Sequence, residues 1–145
     1  MKTLCIFIFL LTISFSWFFI FTSLVQPDYF VGGVYEIQVI NGFRNNSSLP
    51  LVIWCTSGDQ DDMGGRALQE GDDFGWRVKA GFLRASSHFI CTLKWDDKRK
   101  RFDAFKVERD SHRCGPLRKC FWLVKEDGFY FSNDGENWMK DFSWS

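Results

Sequence analysis

Four cysteines, Cys55, Cys91, Cys114 and Cys120, carry the most chemistry in this chain, and they form an even set once Cys5, inside the apolar N-terminal run, is set aside. Cys114 and Cys120 have five residues between them, wider than the two to four that zinc ligand pairs usually leave. Disulfides fit better, and they imply an oxidising compartment. The spacing admits three pairings. The one favoured here is Cys55 with Cys120 and Cys91 with Cys114, because a hairpin over the middle of the chain would fold the segment after Val107 back toward Cys91. His88 and His112 are the only histidines and would be the acid–base pair of a secreted hydrolase or ribonuclease. One falls on the polar side of an expected strand and the other in a loop. No Gly-x-Ser-x-Gly nucleophile elbow occurs, so no catalytic residue is assigned. Asp59, Asp61, Gly64 and Glu70 take the first, third, sixth and twelfth places of a calcium-loop spacing. The fifth place is Met63, which offers no hard oxygen, and the stretch reads as a solvated acidic connection. No metal or other cofactor is expected.

The compartment is read from the N-terminus. Leu4 to Val25 holds no charged residue and is rich in Phe, Ile and Leu, with Lys2 ahead of it. This is the pattern of a signal peptide over residues 1–25, with 26–145 as one secreted domain. The run also approaches the length of a membrane-spanning helix, so an uncleaved anchor is the alternative, but no membrane insertion of the mature domain is expected. Asn45 and Asn46 each begin an Asn-x-Ser triplet in a polar connection, and in an exported chain they are glycosylation acceptors. The 18 basic and 18 acidic residues cancel, which gives no general pull toward nucleic acid or membrane surfaces.

The elements that must hold these groups read as β. Tyr35, Ile37 and Val39 alternate with Glu36 and Gln38, and Leu51 to Cys55 is nearly continuous in apolar residues. Trp76 to Phe82, Phe89 to Trp95, Phe102 to Val107 and Phe121 to Lys125 follow. Asp127-Gly128 turns the chain into Phe129 to Phe131, and a last short strand ends at Trp144. Gly58 to Asp73 is expected to be a loop with at most a turn of helix near Arg66. The charged run Asp96 to Lys100 is expected to be a turn, and Arg109 to Lys119 a polar loop. The fold class predicted is all-β, a small disulfide-stapled β-sandwich of about eight strands with an aromatic core.

The order Val39-x-Asn41, Cys55-x-Ser57-x-Asp59-x-Asp61-Asp62-x-Gly64, Leu68, Gly71 and Trp76 resembles the plant self-incompatibility stigma proteins and their S-protein homologues. The likeness continues through Cys91, Phe102, Phe105, Cys114, Cys120-x-Trp122, Asp127-Gly128, Trp138 and Trp144. Two departures are Trp54, where many members carry His, and Arg77-Val78, where an aromatic or apolar residue two places after Trp is common. The resemblance implies a secreted β-sandwich without enzymatic activity. It also implies a role as a ligand read by a membrane receptor on another cell, as founding members are read by pollen. The partner expected is thus an unidentified cell-surface receptor, and the chain is expected to be a monomer. A secreted defence protein is the alternative outside signalling. Within Arg109 to Cys120 the basic residues outnumber the one acidic residue, and Arg113, Arg118 and Lys119 are the expected partner-binding residues.

Overall fold

The computed structural model describes residues 6, 8, 10–13, 15, 33–44, 49–58, 62–80 and 88–145. Contacts divide the chain into two units, Met1–Val31 and Gly32–Ser145. In the first, the described residues are helical and exposed. No helix among the described residues is long and apolar enough to cross a membrane.

Among its described residues the second unit is all-β apart from one short helix. Its strands are β1 (Val34–Asn41), β2 (Leu51–Ser57), β3 (Asp62–Leu68), β4 (Asp73–Lys79), β5 (His88–Trp95) and β6 (Lys98–Lys106). After helix α1 (Val107–Arg113) come β7 (Lys119–Lys125), β8 (Gly128–Ser132) and β9 (Met139–Phe142). One sheet has the order β4-β1-β7-β8-β9 and the other β3-β2-β5-β6. All neighbours are antiparallel except β1 and β7, where Glu36 faces Lys119 and Asn41 faces Val124 in a parallel pair.

Alternation along the strands sets the two inner faces. Ile37 and Val39 of β1, Leu51, Ile53 and Cys55 of β2, Cys91 and Leu93 of β5, and Trp122 and Val124 of β7 are all sealed from solvent. Between the sheets, the Trp122 ring meets Phe102 edge-on at 5.1 Å and Phe131 at 5.1 Å. Its indole N–H is satisfied by a backbone irregularity. On β5 and β6, Ile90 faces Asp103 and Phe89 faces Phe105, so Ala104 is the extra residue of a bulge. The Trp122 Nε1 donates to the freed Ala104 carbonyl at 2.8 Å. At the other end Phe43 stacks on Trp95 at 4.5 Å, and Trp144 donates its Nε1 to the Lys125 carbonyl at 2.8 Å.

Four sequence expectations are corrected. The acidic connection contains an edge strand, β3, and Arg66 lies in it rather than in a helical turn. The charged run is mostly strand: β6 starts at Lys98, which puts Arg99 and Arg101 in the sheet. Part of the polar loop is helix α1.

The fourth correction concerns the bridges, which are Cys55–Cys91 and Cys114–Cys120, not Cys55–Cys120 and Cys91–Cys114. Cys55 and Cys91 are directly opposed on β2 and β5, with Cα atoms 4.1 Å apart, the spacing of facing residues in an antiparallel pair. Cys114 closes on Cys120 across the turn that follows α1, with Cα atoms 4.8 Å apart. Asn45 and Asn46, together with Asp59 and Asp61, lie outside the described residues.

Candidate functional site

The segment expected to meet a partner is built around a buried carboxylate. Asp110 is fully buried in α1. It accepts from Arg109 Nε and Nη2, each at 2.8 Å, and from the Lys106 backbone N–H at 2.7 Å. Arg109 Nη2 also donates to the Asp103 carbonyl at 2.8 Å, tying the helix to the end of β6. The Asp110 hydrogen bond, which outweighs the cost of burial, raises the Arg109 guanidinium above its ordinary value and keeps it charged. Seven residues with little periodicity thus hold a helix through tertiary contacts rather than propensity.

The helix ends in a turn pinned by Cys114–Cys120. The Lys119 N–H returns to the Cys114 carbonyl at 3.1 Å and the Arg118 N–H to the Gly115 carbonyl at 3.1 Å. Gly115 and Arg118 take positive φ values of 65° and 55°, so the chain doubles back tightly. At the tip, Leu117 is 71% exposed.

The three basic residues picked out in the sequence are not equivalent. Arg113 turns inward: its guanidinium lies 4.0 Å from the Phe131 ring centroid and pairs with Asp141 at 3.1 Å and Asp110 at 3.7 Å. Its role is to hold α1 against β8 and β9. Arg118 lies against Gly33, where any side chain would collide with its guanidinium. Lys119 is half-buried on β7, opposite Glu36. The turn therefore exposes Pro116 and Leu117, with Arg118 and Lys119 half-buried beside them, and a reading of the segment by charge alone passes over Leu117.

The histidines stand on different elements. His88 on β5 shares its Nε2 with Asp103 Oδ1 at 2.6 Å, while Lys106 Nζ reaches Asp103 Oδ2 at 2.8 Å. Burial pushes the Asp103 carboxyl up, but the Lys106 and His88 hydrogen bonds and charges together outweigh it and hold the group below the usual carboxylate range. His112 is exposed in α1. Among the described residues no group of three or more His, Cys, Asp or Glu is placed to hold a metal ion.

A β-sandwich with bridged strands and a cystine-pinned turn defines the class of a small scaffold that displays loops. The comparison with known proteins narrows the class. The profile of the family Plant self-incompatibility protein S1 matches residues 36–144. This chain belongs to that family. Among curated relatives from Arabidopsis thaliana, S-protein homolog 27 is 33% identical over 102 residues, 70% of this chain and 65% of the relative. S-protein homolog 6 is 37% identical over 86 residues, 59% of this chain and 60% of the relative. S-protein homolog 19 is 30% identical over 114 residues, 77% of this chain and 83% of the relative. The match to the first two relatives thus spans less than two thirds of their length. No solved structure gives a significant match.

Proposed function

We propose that this chain is a secreted, non-enzymatic ligand, recognised by a membrane receptor on another cell through the turn between Cys114 and Cys120. The observation that carries the reading is the exposed Leu117 on a turn fixed at both ends by a disulfide. A pre-ordered turn loses little conformational entropy on binding, and it sets an exposed apolar side chain beside Arg118, a residue type enriched at interface centres. Membership of the self-incompatibility family supports the extracellular, ligand-like assignment. In this reading residues 1–25 direct export, 26–145 form the mature domain, and Asn45 or Asn46 carries a glycan.

The test uses the purified secreted protein and membranes from the tissue that responds to it. Leu117→Ala and the pair Arg118→Glu with Lys119→Glu are compared with wild type, after circular dichroism and a thiol count show that each is folded. Weakened capture by Leu117→Ala is expected. The charge reversal is expected to slow association and to flatten its dependence on salt. Unchanged binding by both folded variants overturns the assignment of the turn. Retention of the chain inside expressing cells overturns the secreted reading.

A further inference from the structure

The outer face of the β3-β2-β5-β6 sheet carries a feature unrelated to the turn. Cross-strand register aligns Gly65, Trp54, Thr92 and Arg101 in one row across all strands of that sheet. The neighbouring row aligns Ala67, Val52, Lys94 and Arg99. A shallow groove of about 570 Å³ opens there, lined by Trp54, Thr56, Ile90, Thr92, Arg99 and Arg101. Trp54 is half-buried, and the Arg99 guanidinium lies 5.3 Å from its ring centroid. Gly65 lets β3 approach β2 closely, since a Cβ there would collide with the Ile53 carbonyl and come within 2.7 Å of the Trp54 Cβ.

Among the described residues no acidic side chain lines the groove, and Asp62, registered opposite Thr56, accepts from the Gly64 N–H. The nearest carboxylate along β6, Asp103, is engaged by His88 and Lys106. Arg99 and Arg101 make no ion pair among the described residues. An indole with Arg99 against one side, two threonine hydroxyls and two guanidiniums without a carboxylate partner among the described residues thus share one sheet face.

We propose that this groove binds an acidic polysaccharide built from uronate units. A pyranose ring stacks its C–H face on Trp54, the Thr56 and Thr92 hydroxyls meet ring hydroxyls, and Arg101 pairs with the carboxylate of the next unit. Trp54 and Arg101 stand two strands apart, roughly 9–10 Å, which is about the length of two sugar rings. A guanidinium matches a carboxylate bidentately, which a neutral glycan does not exploit. The groove crosses the middle strands instead of following an edge, so it suits a flexible chain laid across the sheet and not a peptide added as a strand.

The test is calorimetric titration of the full secreted protein with a galacturonate tetramer, its fully methyl-esterified form, a glutamate oligopeptide and a single-stranded oligonucleotide of equal charge. Binding of the free-acid tetramer that weakens with salt is expected, with the ester at least about tenfold weaker. Each charge-assisted hydrogen bond lost corresponds to about tenfold or more in affinity. Trp54→Ala and the exposed pair Arg99→Gln with Arg101→Gln should each lower affinity by at least that factor, and Lys119→Gln should not. Thermal melts confirm folding, and the arginine pair keeps the test decisive if Trp54→Ala unfolds. No binding of the tetramer at millimolar concentration, equal binding of the ester, or equal binding of the peptide or oligonucleotide overturns the proposal. So does unchanged affinity in the arginine variant. Because the groove and the cystine-pinned turn share no residue, either assignment can fail without the other.

Discussion

Replacing each bridged pair by alanine separates the two disulfides energetically and tests the pairing itself. Cys55–Cys91 joins positions 36 apart and Cys114–Cys120 positions 6 apart. If a bridge acts by restricting the unfolded chain, the longer one contributes about 4 kcal/mol and the shorter about 2 kcal/mol at 25 °C. All four cysteines are fully buried, so alanine is preferred to serine, whose hydroxyl would be buried without a partner. Urea denaturation should place oxidised wild type highest, Cys114→Ala with Cys120→Ala next, and Cys55→Ala with Cys91→Ala lowest in stability. The variant lacking the long bridge should lose about 1.5 kcal/mol more than the one lacking the short bridge. Neither double variant should titrate a free thiol when denatured without reduction, because each keeps one complete bridge. A crossed arrangement would strip both bridges of one sulfur in either variant. Two thiols per denatured chain, or a larger loss for the short bridge, would refute the reasoning.

Two further outcomes follow from the carboxylates. Asp110→Ala should destabilise the domain by about 3 kcal/mol, because it leaves Arg109 and Arg113 without their shared buried partner; a loss under about 1 kcal/mol in urea denaturation would show that α1 is held otherwise. Asp134 is held below the usual carboxylate range by the Asn137 side chain first, then by the Asn137 and Glu136 N–H groups and the Ser132 hydroxyl. Its contribution is therefore complete above the unfolded value of about 4 and declines as pH falls below it. The stability gap between wild type and Asp134→Ala should narrow in that acidic window, and a gap independent of pH from 7 down to 2 would count against the turn.

What the sequence discloses depends on how local the cause is. β1 alternates cleanly because it has one face in the core, β2 and β7 show as short apolar runs, and Asp127-Gly128 marks its hairpin by turn chemistry alone. β3, with Asp62 and paired glycines at Gly64 and Gly65, has no such signature; it is an edge strand stabilised by its neighbour and not by its own propensity. Helix α1 is hidden for a similar reason, since its anchor is a buried charge that composition marks as a loop residue. The disulfide pairing is not legible in the sequence because Cys55 meets Cys91 only once β3 has taken the far edge of β2 and β4 has joined the other sheet. Trp54 stood out as a departure from the family pattern, but its arginine companions arrive from β6 through register, which no short window contains. The charge run before Phe102 hid the signal, although Arg99 and Arg101 do fall at a period of two.

The parallel contact between β1 and β7 orders events in time. β1 is the first strand of the domain, and its partners are β4 on one side and, on the other, a strand that follows α1. Until β7 has been made, β1 has one bare edge, and Trp122, which fills the space between the sheets, is missing. A nascent chain cannot close its interior from the front; it must wait with apolar β1 and β2 side chains uncovered, a state open to mispairing. Premature stop codons anywhere before β7 should therefore yield no smaller folded domain, only chains destined for degradation. The two cysteines of the long bridge emerge during that wait, before the structure that sets them face to face is complete.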